Sequence, residues 1–161
     1  MEPALELRVE SSASPAARTL TAALDALILE RYPGLPVNGL DEGFDEAGGL
    51  FVVAYLGAAP VACGALQRVE GADEVKRMFV LPDCRRRGLA RAVLRFLESE
   101  AARRGSARLL LETGIRQPEA VALYEAEGWI RIPPYGPYVG VEVSLCFEKR
   151  LAGCVVARAG G

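Results

Sequence analysis

A chain of 161 residues, 51% hydrophobic and 25% charged, suits a globular domain with one core, and its net charge of −2 argues against a general binder of polyanions. It contains no histidine, which excludes Ser-His and Cys-His nucleophiles and imidazole-ligated zinc; a general base must be a carboxylate, a tyrosine, a thiolate or water. No apolar run approaches the length of about 18 residues that a membrane span needs, and no charged-then-apolar leader opens the chain, so a cytoplasmic setting without a membrane partner is expected.

LELRV (5–9) alternates apolar and polar residues and predicts a first strand. Ser14-Pro15 offers an N-cap and an N1 proline to a helix over 16–29, where Leu20, Leu24, Leu27 and Ile28 fall at helical spacing. Pro33-Gly34 ends it, and 32–49 reads as a loop. LFVVAYL (50–56) and VACGALQRV (61–69) predict two strands joined in a hairpin over 57–60. After a turn at 70–73, EVKRMFVL (74–81) predicts a further strand, stopped by Pro82-Asp83.

From Gly88 to Arg104, Leu89, Val93, Phe96, Leu97 and Ala101 share one face of an amphipathic helix, and Gly105 stands where a C′ glycine closes it. ARLLLET (107–113) reads as a buried strand. A short helix over 118–127 begins with Pro118 at N1 and ends at Gly128. WIRI (129–132) and VSLCFEKRL (143–151) read as closing strands around the Pro/Tyr-rich IPPYGPY (132–138), and the last ten residues carry no clear signal. Without repeat, linker or low-complexity segment, 1–161 reads as a single α/β or α+β domain. Cys63, Cys84, Cys146 and Cys154 form no CxxC pair and suit a reducing compartment.

Charge is uneven along the chain. Residues 1–50 hold nine acids against three arginines, whereas 85–108 hold eight arginines against two glutamates, an asymmetry that suits an anionic ligand docking on the second half. DCRRRGLARAVL (83–94) concentrates it at a helix start, where unpaired N–H groups and the macrodipole leave about half a positive charge. A glycine there lets a phosphate approach the backbone, and arginines add fork-shaped donors. No GxxxxGK[ST] or GxGxxG is present, which speaks against a P-loop and a dinucleotide fold. On these residues alone, a solvated arginine turn explains RRRGLA as well as a phosphate cradle does.

The order of elements separates the two. A strand ending V-x-P, then Arg85-x-x-Gly88-x-Ala90 opening a long helix, then a buried strand, then a short helix ending L-Y-x-x-x-G-W, resembles the GNAT superfamily of acyl-CoA-dependent N-acetyltransferases. The matching signature there is Q/R-x-x-G-x-G/A. ETG-x-x-Q-P-E-A-x-x-LYE and S-x-C-FEK resemble a bacterial branch of it. The resemblance covers nearly the whole chain, with 74–131 its most specific part. It implies a mixed, mostly antiparallel sheet of about six to seven strands with splayed central strands, flanked by about four helices. It also implies transfer of acetyl from acetyl-CoA, as co-substrate and without a metal, to a primary amine by direct attack in a ternary complex.

What the resemblance implies for single residues follows. The pyrophosphate of coenzyme A falls to Arg85, Arg86, Arg87, Gly88, Leu89 and Ala90, with Arg85 at the signature position and Arg86 and Arg87 acting mainly through backbone amides. The main chain of Phe79 and Val80 pairs with the pantetheine arm like an added strand, and Gln117 and Ala120 lie near the coenzyme. Where many members carry an asparagine, Ile115 and Arg116 stand here. Tyr124 is the acid for the departing thiolate, a phenol with an ordinary pKa of about 10. Glu74 is the base, with Glu112 a weaker candidate.

Each of these residues also has a plain structural role open to it. Tyr124 suits a helix core, and Glu74 suits a strand end neutralised by Lys76 or an arginine. Gln117 suits an N-cap. Cys84, beside Arg85, has a setting for nucleophilic chemistry, but direct transfer needs none. Tyr32, Tyr135, Tyr138 and the acidic loop 41–46 are candidates for the rim of an acceptor pocket, where acids would suit a cationic amine.

Two other function classes fit parts of the pattern. One is a non-catalytic acyl-CoA-binding or sensing module on the same fold. The other is a nucleic-acid binder using the arginine cluster, against which the net charge and the lack of interleaved aromatics speak. No nucleic-acid partner is expected. The acceptor is a small-molecule or peptide amine that no feature of the sequence identifies. A homodimer fits the family, whose closing strands often pair between subunits.

Overall fold

The computed structural model describes residues 2–151. The final ten residues, Cys154 among them, lie outside the described residues. Along the described chain run β1 (Leu5–Glu10), α1 (Pro15–Arg31), β2 (Leu50–Leu56), β3 (Ala59–Val69), β4 (Ala72–Val80), α2 (Leu89–Arg103), β5 (Arg108–Gly114), α3 (Pro118–Ala126), β6 (Ile130–Ile132) and β7 (Ser144–Arg150). Short 3-10 turns occupy Pro82–Cys84 and Gly136–Tyr138. The described residues thus hold seven strands and three α-helices, one helix fewer than expected. Between α1 and β2 the chain runs through consecutive turns, where Gly43 (φ 73°) and Gly48 (φ 86°) adopt the left-handed conformation that interrupts a helix.

The residues group into two compact units, one of residues up to 68 with 75–97, the other of 69–74 with 98 onward. In the first unit the strand order is β1-β2-β3-β4, with β1–β2 and β2–β3 antiparallel. The β2–β3 hairpin closes at Gly57-Ala58, tighter than expected, with Gly57 at φ 61°. Ser14 caps α1, its Oγ accepting from the Ala17 N–H at 3.1 Å, and Pro15 follows at N1. Ala17, Leu20 and Leu24 then pack with Phe44, Phe51, Val53, Tyr55, Cys63, Ala65 and Phe79.

On the opposite face, a Cβ on Gly64 would meet Val93 Cγ1 at 2.7 Å, Met78 Sδ at 2.8 Å and Leu97 Cδ1 at 2.9 Å. The first turns of α2 therefore sit directly against β3. Helices on both faces explain why β2, LFVVAYL, is an unbroken apolar run rather than an alternating one.

In the second unit the strand order is β5-β7-β6, with both pairings antiparallel. Helix α2 ends there as the sequence predicts. Gly105 (φ 87°) donates to Ala102 O at 3.0 Å and Ser106 N to Ala101 O at 2.9 Å, the paired bonds of a Schellman closure. Asp73, expected in a turn, is fully buried in the first residues of β4. Ser106 Oγ donates to it and Arg104 Nε lies 3.7 Å away. A buried carboxylate needs such partners. Among the described residues, no helix is long and apolar enough to cross a membrane.

Candidate active site

The first unit carries the arginine turn. Pro82–Cys84 forms a single 3-10 turn after β4, Arg86 adopts φ 64° and Gly88 φ 75°, and α2 begins at Leu89. The Gly88 carbonyl accepts from Ala92 N at 3.0 Å. Gly88 is therefore the N-cap, and the N–H groups of the first helical turn have no helical partner. A Cβ on Gly88 would meet nothing within 4 Å, so the space over these amides is open. Leu89 is buried, as are Val93, Leu94 and Leu97, which anchors the helix start while Arg86 and Arg87 remain exposed. Arg85 turns back, its Nε donating to Val80 O at 3.3 Å. That bond fastens the turn to the strand end whose main chain was assigned to the pantetheine arm. The donor set, backbone amides at a positive helix end flanked by guanidinium groups, fits a pyrophosphate.

Arg77 interrupts the alternation of β4. Its φ is 58°, in the left-handed region, and its buried guanidinium donates to Asp25 and, at 3.3 Å, to Thr21 O on α1. Lys76 Nζ donates to Gly39 O at 2.9 Å. A cleft of about 550 Å³ opens there, lined by Asp25, Asp41, Asp45, Glu46 and Arg77 among others. Part of that acidity is committed internally. Ser11 Oγ donates to Asp45 at 2.7 Å, a bond that holds this carboxyl below its usual range, and Gln67 Nε2 donates to Asp41 at 3.0 Å. Tyr32 is buried.

The second unit gathers the titratable groups. Tyr124 occupies the last turn of α3, and the chain behind it closes as a second Schellman motif. Gly128 (φ 85°) donates to Glu125 O at 3.1 Å and Trp129 N to Tyr124 O at 3.0 Å. In such a closure the residue after the glycine contacts the one five before it. The Trp129 and Tyr124 rings accordingly meet at 6.0 Å, and Phe147 meets Tyr124 at 6.1 Å from β7. The spacing L-Y-x-x-x-G-W is thus a local device that locks the tyrosine. Trp129 is held in turn by Glu98, which accepts from its Nε1 and from Lys149 Nζ, each at 3.0 Å. Burial, with the nearby charge of Glu112, raises the Tyr124 phenol well above its ordinary range, so it is protonated at neutral pH.

Glu74 is only 3% exposed. Its carboxylate accepts from the Tyr135 hydroxyl at 2.5 Å, and its charge acts on the neighbouring Tyr138 phenol. The two rings meet edge to face at 5.3 Å. Glu112 faces Cys146 across the β5–β7 pairing, and its charge acts on Tyr124, Tyr138 and Cys146. Burial first, then Glu74, raises both Tyr135 and Tyr138. One compact group therefore holds two carboxylates, three phenols and a thiol.

Sequence reasoning singled out Glu74 and Tyr124 but not the hydrogen bond from Tyr135 to Glu74. The only signal for it was the unusual composition of IPPYGPY. Gln117 does precede α3, yet its side chain makes no cap; its Oε1 accepts from Gly114 N at 3.3 Å and ties the loop instead. Ala120 lies in the first turn of α3. Cys63 and Cys146 are buried free thiols and Cys84 a half-buried one.

One unit thus holds a strand leading through an arginine-glycine turn into a helix N-terminus, and the other a cluster of phenols and carboxylates, a combination that fits a group transferase. The acetyltransferase (GNAT) domain model matches residues 47–131. The chain is 36% identical over 152 residues to an IAA acetyltransferase of Azospirillum brasilense, covering 92% of this chain and 99% of that protein. A Klebsiella pneumoniae chain described as an acyl-CoA N-acyltransferase superposes with a TM-score of 0.77 at 29% identity, over 91% of this chain and 97% of that one. A GNAT acetyltransferase of Elizabethkingia anophelis, solved with acetyl-CoA bound, shares the fold at a TM-score of 0.65 and 15% identity, over 91% and 98% of the two chains. The chain belongs to the GNAT acetyltransferase family and is an acyltransferase.

Proposed function

We propose that the chain moves the acetyl group of acetyl-CoA to a primary amine by direct attack in a ternary complex. The observation that carries this is the Gly88 turn, whose left-handed φ of 75° leaves the amides of the α2 start open to an anion. Arg85 to Ala90 hold the pyrophosphate, the main chain of Phe79 and Val80 holds the pantetheine arm, and Gln117 and Ala120 border the coenzyme. When bound, acetyl-CoA supplies an activated thioester. Glu74 takes a proton from the acceptor's ammonium so that a neutral amine attacks, and Tyr124 gives its phenolic proton to the departing thiolate. Both groups suit these tasks, one a buried carboxylate and the other a phenol kept protonated by burial.

The acceptor is a small-molecule or peptide amine, and the acidic lining of the cleft beside Arg77 supports a cationic one. Free thiols at Cys63, Cys84 and Cys146 support a reducing, cytoplasmic setting.

The test is release of free thiol from acetyl-CoA across a panel of spermidine, lysine, kanamycin, an alanyl peptide and IAA. Turnover with at least one amine, with intersecting double-reciprocal lines, is expected. Parallel lines would point to an acetylated enzyme, with Cys84 the residue to examine. Saturable acetyl-CoA binding without turnover of any acceptor would leave a coenzyme-binding module instead.

A further inference from the structure

The loop between β6 and β7 is built unlike its neighbours. Pro133, Pro134 and Pro137 fix three backbone φ angles, and Gly136 takes the left-handed φ of 53° that the turn needs. Tyr138 N donates to Tyr135 O at 3.0 Å, closing the 3-10 turn between the two tyrosines. Their rings brace each other at 5.3 Å and 85°. Such a segment loses little entropy on ordering, so whatever it presents is presented in one geometry.

What it presents to the buried carboxylate of Glu74 is the Tyr135 hydroxyl, braced by the Tyr138 ring. We propose that Tyr135, held in place by Tyr138, is a positioning residue for Glu74, so that the base is a carboxylate held by the β6–β7 loop rather than set by its place on β4 alone. The proposal rests on the reading of Glu74 as the proton acceptor. A carboxylate 3% exposed must find hydrogen bonds inside the protein, and a phenol on a stiff turn fixes its orientation. The charged and titratable groups around it come from several strands: Glu112 on β5, Arg131 on β6 and the Cys146 thiol on β7. Burial and the charge of Glu74 keep the Tyr135 phenol protonated, hence a donor.

The test compares the full-length chain with Tyr135→Phe, Tyr138→Phe, the double variant and Glu74→Gln. Each is assayed with acetyl-CoA and the fastest acceptor of the panel, over pH. Glu74→Gln should remove one limb on the acid side of the kcat/KM profile. Tyr135→Phe should lower kcat by about 10-fold, the loss of one hydrogen bond to a charged group, and Tyr138→Phe, which keeps the bracing ring, by much less, with KM for acetyl-CoA nearly unchanged in both. Removing a donor from a buried carboxylate favours its protonated form, so that same limb should move to higher pH in Tyr135→Phe and the double variant.

A limb that Glu74→Gln removes but that Tyr135→Phe leaves in place would overturn the positioning role while the base assignment stood. A Glu74→Gln profile with that limb intact would overturn the base assignment and this proposal with it. Denaturant unfolding gives a readout independent of turnover. Glu74→Gln and Tyr135→Phe remove the same hydrogen bond, so their losses of stability should not add when the two are combined, and additive losses would refute the positioning role.

Discussion

Gly88→Ala separates backbone strain from coenzyme recognition. Nothing lies within 4 Å of the added Cβ, so the free protein meets no clash and the cost is conformational. Holding alanine at a φ of 75° costs about 1–2 kcal/mol, which for a chain of this size lowers Tm by about 2–8 °C. The added methyl group occupies open space at the N-cap, where a phosphate on the first amides of α2 would approach. Losing one charge-assisted hydrogen bond, worth about 1.5–3 kcal/mol, weakens binding by about 10- to 150-fold. Gly105→Ala is the control, since it also carries a left-handed φ, of 87°, with open space around it, but at the far end of α2. Calorimetry with acetyl-CoA and thermal unfolding are run on both. Similar Tm losses are expected, with the affinity loss confined to Gly88→Ala. If Gly88→Ala bound acetyl-CoA as tightly as the parent chain, the cradle assignment would be refuted.

Tyr124→Phe keeps the ring that packs against Trp129 and Phe147 but removes the proton, so turnover should fall about 100-fold or more while calorimetric coenzyme affinity barely changes; full activity would end its role as acid. Gly64→Ala drives a Cβ to 2.7–2.9 Å from Val93, Met78 and Leu97, and overpacking of this kind should cost about 1–3 kcal/mol in denaturant unfolding. Burial raises the Cys63 thiol from 9.0 to about 12. Because its folded value lies above its unfolded one, its stabilisation is complete below pH 9.0 and is lost as pH rises toward about 12. Cys63→Ala should therefore flatten the fall of unfolding free energy above that pH, by up to about 1.4 kcal/mol per pH unit.

Most of the fold was legible because it is written in short-range patterns. The apolar spacing of Leu89, Val93, Leu97 and Ala101 predicted the buried face of α2, and all four are buried. Proline at N1 and glycine at C′ marked the ends of α3 to within about a residue. The departures have local causes as well. Strand β4 begins two residues before its expected start because Gly71, at φ 74°, completes the turn by itself. Arg77 takes a φ of 58° within β4, and a positive φ at an arginine leaves no trace in composition. The three helices read from spacing are the three α-helices of the described residues, 32–49 contains none as its composition indicated, and the fourth was implied only by the resemblance.

The candidate site divides along the same line. Tyr124 was legible because the residues that lock it, Gly128 and Trp129, follow within five positions, and a Schellman closure carries its packing partner in its own sequence. Glu74 was legible only as a position on a strand. Its phenol partner stands 61 residues further on in a loop with no periodicity, so no local rule could join them. The expectation for a strand-end glutamate was an exposed side chain, and burial adds a demand that a strand position does not display. A carboxylate only 3% exposed needs a hydrogen-bond donor inside the protein, and Tyr135 supplies one from a turn that three prolines stiffen.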